Sequence, residues 1–126
     1  MVGGQGPKLM RLVAEKADAW NWDGPVEMYR PPYERLVRAC EEIGRDLRTV
    51  HLNASVEVYF PADVADFPEL YWSGYEAFMT SPLGPTPADA HREIARLAEL
   101  GVAELTCVFW DLETLRRFRD EVVAVA

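Results

Sequence analysis

The chain has 126 residues, 49% of them apolar, which is enough for one domain with a real core and too few for two ordinary ones. Its net charge of −8 argues against a general nucleic-acid or anionic-membrane binder, because both need a basic surface. No run of about twenty apolar residues exists to span a membrane, and the N-terminus lacks the basic and apolar regions of a signal peptide, so a cytoplasmic protein is expected.

Met1-Val2 reads as the stub of a strand. Gly3, Gly4 and Gly6 follow, where a helical pattern is about to begin. Glycines there let the backbone turn and let a ligand approach the main chain, and the helix N-terminus beyond them favours an anion. Taken alone they fit either a phosphate-binding turn or a loose terminus. Pro7 suits the first helical turn, and Leu9, Leu12, Val13 and Ala17 follow at helical spacing. Ala19-Trp20-Asn21-Trp22 reads as a short strand, and Asp23-Gly24-Pro25 as a turn.

Pro31-Pro32 is expected to open the next helix, with Tyr33, Leu36, Val37, Cys40 and Ile43 on one face and Gly44 as its stop. Val50 to Phe60 reads as a long strand whose last part, from Val56, is expected to be covered on both faces. Between Asp63 and Leu83, the residues Phe67, Leu70, Tyr71, Tyr75, Phe78 and Met79 recur at roughly helical spacing. They fit a core helix or, given their aromatic content, a lid or partner-binding segment. Thr86-Pro87-Ala88-Asp89 is a helix start, and Gly101 ends that helix. Leu105 to Trp110 is nearly all apolar, the pattern of a strand covered on both sides. Asp111 is placed to cap a last helix with Leu112, Leu115, Phe118 and Val122 on one face.

Strands alternating with helices imply right-handed crossovers and a parallel α/β sheet. Ligands bind such sheets beyond the carboxyl ends of the strands. The glycine turn, the Asn21–Pro25 segment, the Tyr59–Pro61 end and Asp111 then share one rim, which favours the phosphate-turn reading. Familiar motifs fail. Leu9 stands where a dinucleotide fingerprint needs its third glycine, and Lys8 lacks the Ser or Thr of a Walker loop. Cys40 and Cys107 read as free thiols in a reducing compartment. His51 and His91 have no metal-ligand spacing, so no metal is expected. No nucleophile, base and orienter assemble into a catalytic set, and catalytic residues stay unassigned.

Three stretches resemble the C-terminal part of the bacterial luciferase-like monooxygenase family. They are Gly3 to Asn21, Arg38 to Asp46, and Gly84 to Val102 with Phe109 and Asp111 to Phe118. The resemblance implies a single domain over residues 1–126, made of parallel βα units like the C-terminal half of a (β/α)8 barrel. It implies FMN or a deazaflavin (coenzyme F420) as cofactor, with hydride transfer or monooxygenation as the reaction. By position, Gly3, Gly4 and Gly6 would bind the cofactor phosphate, and Asn21 and Trp22, at the next strand end, would line the same pocket. About four βα units are present where a closed barrel needs eight. A homodimer, a complementary N-terminal half chain or a longer gene product would supply the rest. The alternative is a non-catalytic half-barrel that serves as an assembly module. Neither nucleic acid nor membrane is expected as a partner.

Overall fold

The computed structural model describes residues 1–68, 71–72 and 79–125. In chain order the elements are β1 (Val2–Gly3), α1 (Pro7–Lys16), β2 (Ala19–Asp23), α2 (Val26–Ile43), β3 (His51–Val58), β4 (Tyr71–Trp72), β5 (Met79–Thr80), α3 (Pro87–Glu99), β6 (Glu104–Phe109) and α4 (Leu112–Phe118). Four strands form one parallel sheet in the order β1-β2-β3-β6. Sheet order follows chain order without reversal. Right-handed crossovers therefore put successive helices on the same face, as in a barrel rather than a doubly wound sheet.

The two faces differ because side chains alternate along each strand. Trp20 from β2 and Leu52, Ala54, Val56 and Val58 from β3 are buried in one core with Met10, Val13, Tyr29, Leu36, Cys40, Ala90 and Leu97 from the helices. Burying such side chains contributes roughly 25 cal/mol per Å2 of apolar area, the main force holding helices to sheet. The opposite face carries Asn21, Asp23, Asn53, Ser55, Glu57, Glu104 and Thr106. The expected two-sided cover of Val56 to Phe60 is thus replaced by alternation: Val56, Val58 and Phe60 are buried, while Glu57 and Tyr59 are half-buried. Likewise β6 is an edge strand, with Leu105, Cys107 and Phe109 half-buried and Glu104, Thr106 and Val108 exposed.

Several local signals act as the sequence implies. Thr86 and Asp89 form a reciprocal capping box at the start of α3, and Pro87 takes the first helical position. The Asp111 carboxylate accepts the Thr114 N–H at 2.6 Å. Of the expected apolar face on the last helix, Phe118 and Val122 are buried, whereas Leu112 and Leu115 stay exposed.

Two expectations are corrected. First, α2 begins at Val26, not at Pro31, and both prolines lie inside it. Each lacks the N–H that would reach back one turn. Burial of Val26, Tyr29 and Pro32 compensates, and Val26 N–H donates to Glu93 Oε1 at 2.5 Å. Second, Asp63 to Leu83 is not one helix. A single 3-10 turn spans Val64–Asp66, and β4 pairs antiparallel with β5. Leu70, Tyr75 and Phe78, which bore much of the lid reading, lie outside the described residues. After β5, Leu83 joins β3: its N–H donates to the Glu57 carbonyl at 2.7 Å, and its carbonyl accepts the Tyr59 N–H at 3.0 Å. The two cysteines are free, Cys40 buried and Cys107 half-buried. Among the described residues no helix is long and apolar enough to cross a membrane.

Candidate functional site

Strand register lays the polar side chains out in rows. Gly3, Asn21, Asn53 and Glu104 are neighbours across β1, β2, β3 and β6. Asp23, Ser55 and Thr106 form the next row, and Glu57 and Val108 the third. Such rows from adjacent parallel strands are how a barrel interior is layered.

The centre is knitted by side-chain hydrogen bonds. Asn21 Nδ2 donates to Asn53 Oδ1 and, at 3.0 Å, to Ser55 Oγ. Asn53 Nδ2 donates to Glu104 Oε1 at 3.2 Å and to Thr106 Oγ1 at 3.3 Å. His51 Nε2 lies 3.0 Å from Glu104 Oε2. Asn53 is fully buried, and these bonds satisfy an amide that would otherwise be costly there.

Towards the carboxyl rim the rows turn acidic and aromatic. Trp110 Nε1 donates to Glu57 Oε2 at 2.7 Å, and its ring stacks on Tyr59 at 4.8 Å. Tyr59 stacks in turn on Phe67 at 6.5 Å. Asp23 sits near Glu57, and burial first, then the Glu57 charge, raises its carboxyl above the ordinary 3.8. The folded state therefore disfavours ionised Asp23. Stability from this group is full below pH 3.8 and is lost as pH rises through the elevated folded value. Asp23→Asn is expected to raise the melting temperature at neutral pH, with the gain fading as pH falls towards 3.8. Thermal melts across that range test this, and a gain that does not change with pH would contradict it.

The glycine turn joins the carboxyl end of β1 to α1. Gly4 has φ +127°, and a Cβ there would collide with Leu9 Cδ2. Its carbonyl accepts Trp20 Nε1 at 2.8 Å, which ties the turn to the core. Gly6 precedes α1 with open space where a side chain would stand. Met10 N–H closes the first helical bond to the Gly6 carbonyl at 2.9 Å. The N–H groups of Lys8 and Leu9 fall in the first turn, where no carbonyl one turn earlier serves them.

Sequence reasoning missed Arg35. From α2 its Nη2 donates to Gln5 Oε1 at 3.0 Å, and its buried Nε has no hydrogen-bond partner among the described residues. Arg35 falls outside the apolar face read for this helix, and nothing local marked its reach to the turn. The polar rows were also missed, although their signal was present: His51, Asn53, Ser55 and Glu57 recur at every second position of β3.

Of the five residues assigned to the cofactor, Gly3 and Asn21 are register partners on adjacent strands. Gly4 and Gly6 lie just beyond, in the turn. Trp22 follows Asn21 by one residue, and its ring packs against the core on the helix side. It does not share a face with Asn21. A separate cleft of about 340 Å3 lies between Pro25, Phe67 and α3. Its arginines are taken: Arg96 pairs with Glu27 and Glu93, and Arg92 with Asp89. No group of three His, Cys, Asp or Glu side chains among the described residues is placed to hold a metal ion.

No protein-family model and no curated protein sequence matches the chain. A solved structure does: the coenzyme F420 dependent tetrahydromethanopterin reductase from Methanopyrus kandleri, with a TM-score of 0.63 at 13% identity. The match covers 98% of this chain and 49% of the reductase, so the chain spans about half the length of that protein. At this identity the likeness is one of fold. The fold is α/β, with parallel strands alternating with helices as in half of a luciferase-like barrel.

Proposed function

We propose that this chain is the cofactor-phosphate-binding half of a luciferase-like oxidoreductase that uses a deazaflavin such as coenzyme F420 or, alternatively, FMN. One observation carries the reading. In a sheet of barrel order, the glycine turn sits at the carboxyl end of β1, beside an arginine whose buried Nε lacks a partner among the described residues. The likeness to an F420-dependent reductase supports the deazaflavin choice.

The residues fit a phosphate. Gly4 adopts a conformation that L side chains rarely take, and Gly6 leaves room for close approach to the main chain. The ten-residue helix α1 directs its first N–H groups and positive dipole end into the turn. Arg35 brings positive charge to a chain that is acidic overall. When bound, such a cofactor supplies hydride transfer at its ring. The chain's own part is to hold the phosphate and orient the ring over the rim, where Tyr59 and Trp110 offer a stacked aromatic surface.

Titration with FMN and with coenzyme F420, read by fluorescence and thermal shift, tests the proposal. Arg35→Ala is expected to weaken binding by about tenfold or more, the loss of one charge-assisted contact at roughly 1.5–3 kcal/mol. Absence of quenching and of any thermal shift at millimolar cofactor would overturn the reading. A second reading, a non-catalytic assembly module, is favoured by one feature. Asn21, Asn53, Ser55 and Thr106 are engaged with one another across the polar face, where an active site needs groups aimed at a substrate. It predicts a folded chain that ignores both cofactors.

A further inference from the structure

We propose that the Gln5 side chain is an internal, displaceable occupant of the Arg35 guanidinium, and that the turn takes up a phosphate group by exchanging it for the Gln5 amide. The inference rests on the phosphate-site reading of the glycine turn. It adds which atoms of the ligand Arg35 selects and what fills its place beforehand.

Carboxylates outnumber cations in this chain, 21 Asp and Glu against 13 Lys and Arg. Arg48, Arg92, Arg96, Arg116, Arg117 and Arg119 each pair with one. Arg35 is held differently. Its acceptor among the described residues is a neutral amide oxygen, Gln5 Oε1 at 3.0 Å. In a chain so rich in acids, a cation resting on a neutral partner keeps its charge available to an anion from outside.

The guanidinium edge that Gln5 meets is built for two oxygens. Nε–H and one N–H of Nη2 are parallel donors, and two oxygens of a single phosphate or carboxylate group match them together. The Gln5 side chain has one acceptor oxygen, because its nitrogen only donates. It serves Nη2 and leaves Nε, which is buried with no hydrogen-bond partner among the described residues. A buried donor without a partner is costly. The partner it lacks corresponds to the second oxygen of a group that Gln5 imitates with one.

Gln5 is also placed to leave. It is exposed and stands between Gly4 and Gly6, and Gly6 has open space where a side chain would be. Its release breaks one exposed hydrogen bond, and a glycine on either side lets the turn adjust. Both donors of the Arg35 edge then face the turn. The N–H groups of Lys8 and Leu9 at the start of α1 stand on the same turn, so anion and guanidinium meet where backbone donors are unserved.

Titration of wild type and variants with FMN, coenzyme F420 and inorganic phosphate, at matched ionic strength, tests the exchange. Gln5→Ala removes the internal occupant and should tighten binding about threefold or more. Gln5→Glu supplies two oxygens from within and should weaken binding about tenfold or more. Without ligand it should melt about 2 °C or more above wild type, and Arg35→Ala should abolish that gain. Arg35→Lys keeps the charge and loses the parallel donors, so it should bind about as weakly as Arg35→Ala. Equal or weaker binding by Gln5→Ala would overturn the inference, because Gln5 would then be idle or itself a ligand contact. Wild-type affinity in Gln5→Glu or Arg35→Lys would overturn it too, as would a Gln5→Glu melting gain that survives Arg35→Ala. The two proposals fail separately. If FMN and coenzyme F420 bind neither wild type nor Gln5→Ala, the cofactor reading is refuted. Inorganic phosphate then decides the exchange: a thermal shift larger in Gln5→Ala than in wild type keeps it, and equal or absent shifts refute it.

Discussion

Gly84→Ala is expected to lower stability by about 3 kcal/mol or more, a large share of the 5–15 kcal/mol that holds a typical domain folded. Two costs add. Gly84 has φ +155°, a conformation that L side chains rarely adopt and that costs roughly 1–3 kcal/mol. A Cβ there would also run into the Tyr59 carbonyl oxygen and come within 2.7 Å of Phe67 Cε2. Overpacking of that kind costs roughly another 1–3 kcal/mol. Relief is blocked on one side, because Tyr59 N–H is bonded to the Leu83 carbonyl, which fixes the carboxyl end of β3 against residue 83. Phe67 is the part able to yield, and it would leave its stack on Tyr59. Urea unfolding at fixed protein concentration should show a lower midpoint with an unchanged slope. A midpoint within error of wild type would show that the loop after β5 is free to shift.

The second large effect is expected at Asn53. Asn53→Leu keeps the volume and removes the amide at the centre of the polar face. Asn21 loses its Asn53 acceptor, and Thr106 and Glu104 lose a donor. Glu104 and Thr106 are exposed and rebond to water, so most of the cost falls on Asn21, which is half-buried and keeps Ser55 as its remaining partner. One stranded polar group costs roughly 1–3 kcal/mol, and about 2 kcal/mol is expected here. A double-mutant cycle with Asn21→Leu checks the assignment. Coupling between the two should reach about 0.5 kcal/mol or more, and strict additivity would place the loss elsewhere.

Much of the fold was legible because its signals are local. The Thr86-Pro87-Asp89 start of α3 and the Asp111 cap depend on residues within one turn, and both form as read. The alternation of strands and helices, and with it a parallel sheet, follows from periodicity and crossover handedness, whereas a barrel-like strand order was implied only by the family resemblance and is seen in the order β1-β2-β3-β6. What failed depends on distant contacts. Pro31 and Pro32 look like a helix start, yet the helix begins five residues earlier because Val26 and Tyr29 find a buried place between sheet and helices. Phe67 to Met79 has helical spacing, yet Tyr71–Trp72 pairs with Met79–Thr80 as antiparallel strands. The site was read in part. Glycines at a strand end are visible in any sequence, whereas the Arg35–Gln5 contact joins residues 30 apart and leaves no local trace. The rows on the polar face were written as alternation in β3, but Val56 to Phe60 reads as a fully covered strand and masked it.

The unequal hold on the four strands has a consequence for where the chain opens. β3 has parallel partners along both edges, five residues of β2 on one side and six of β6 on the other, and Leu83 extends its far end. Its amides are released only when the whole domain unfolds. β1 is secured by two residues on one edge, so its amides are freed by local fluctuation at a small fraction of that free energy. The glycine turn hangs from this strand, steadied by the Trp20 bond to Gly4. A phosphate seated there would tether the loosest corner of the domain, and the energy of ordering it would be subtracted from the affinity.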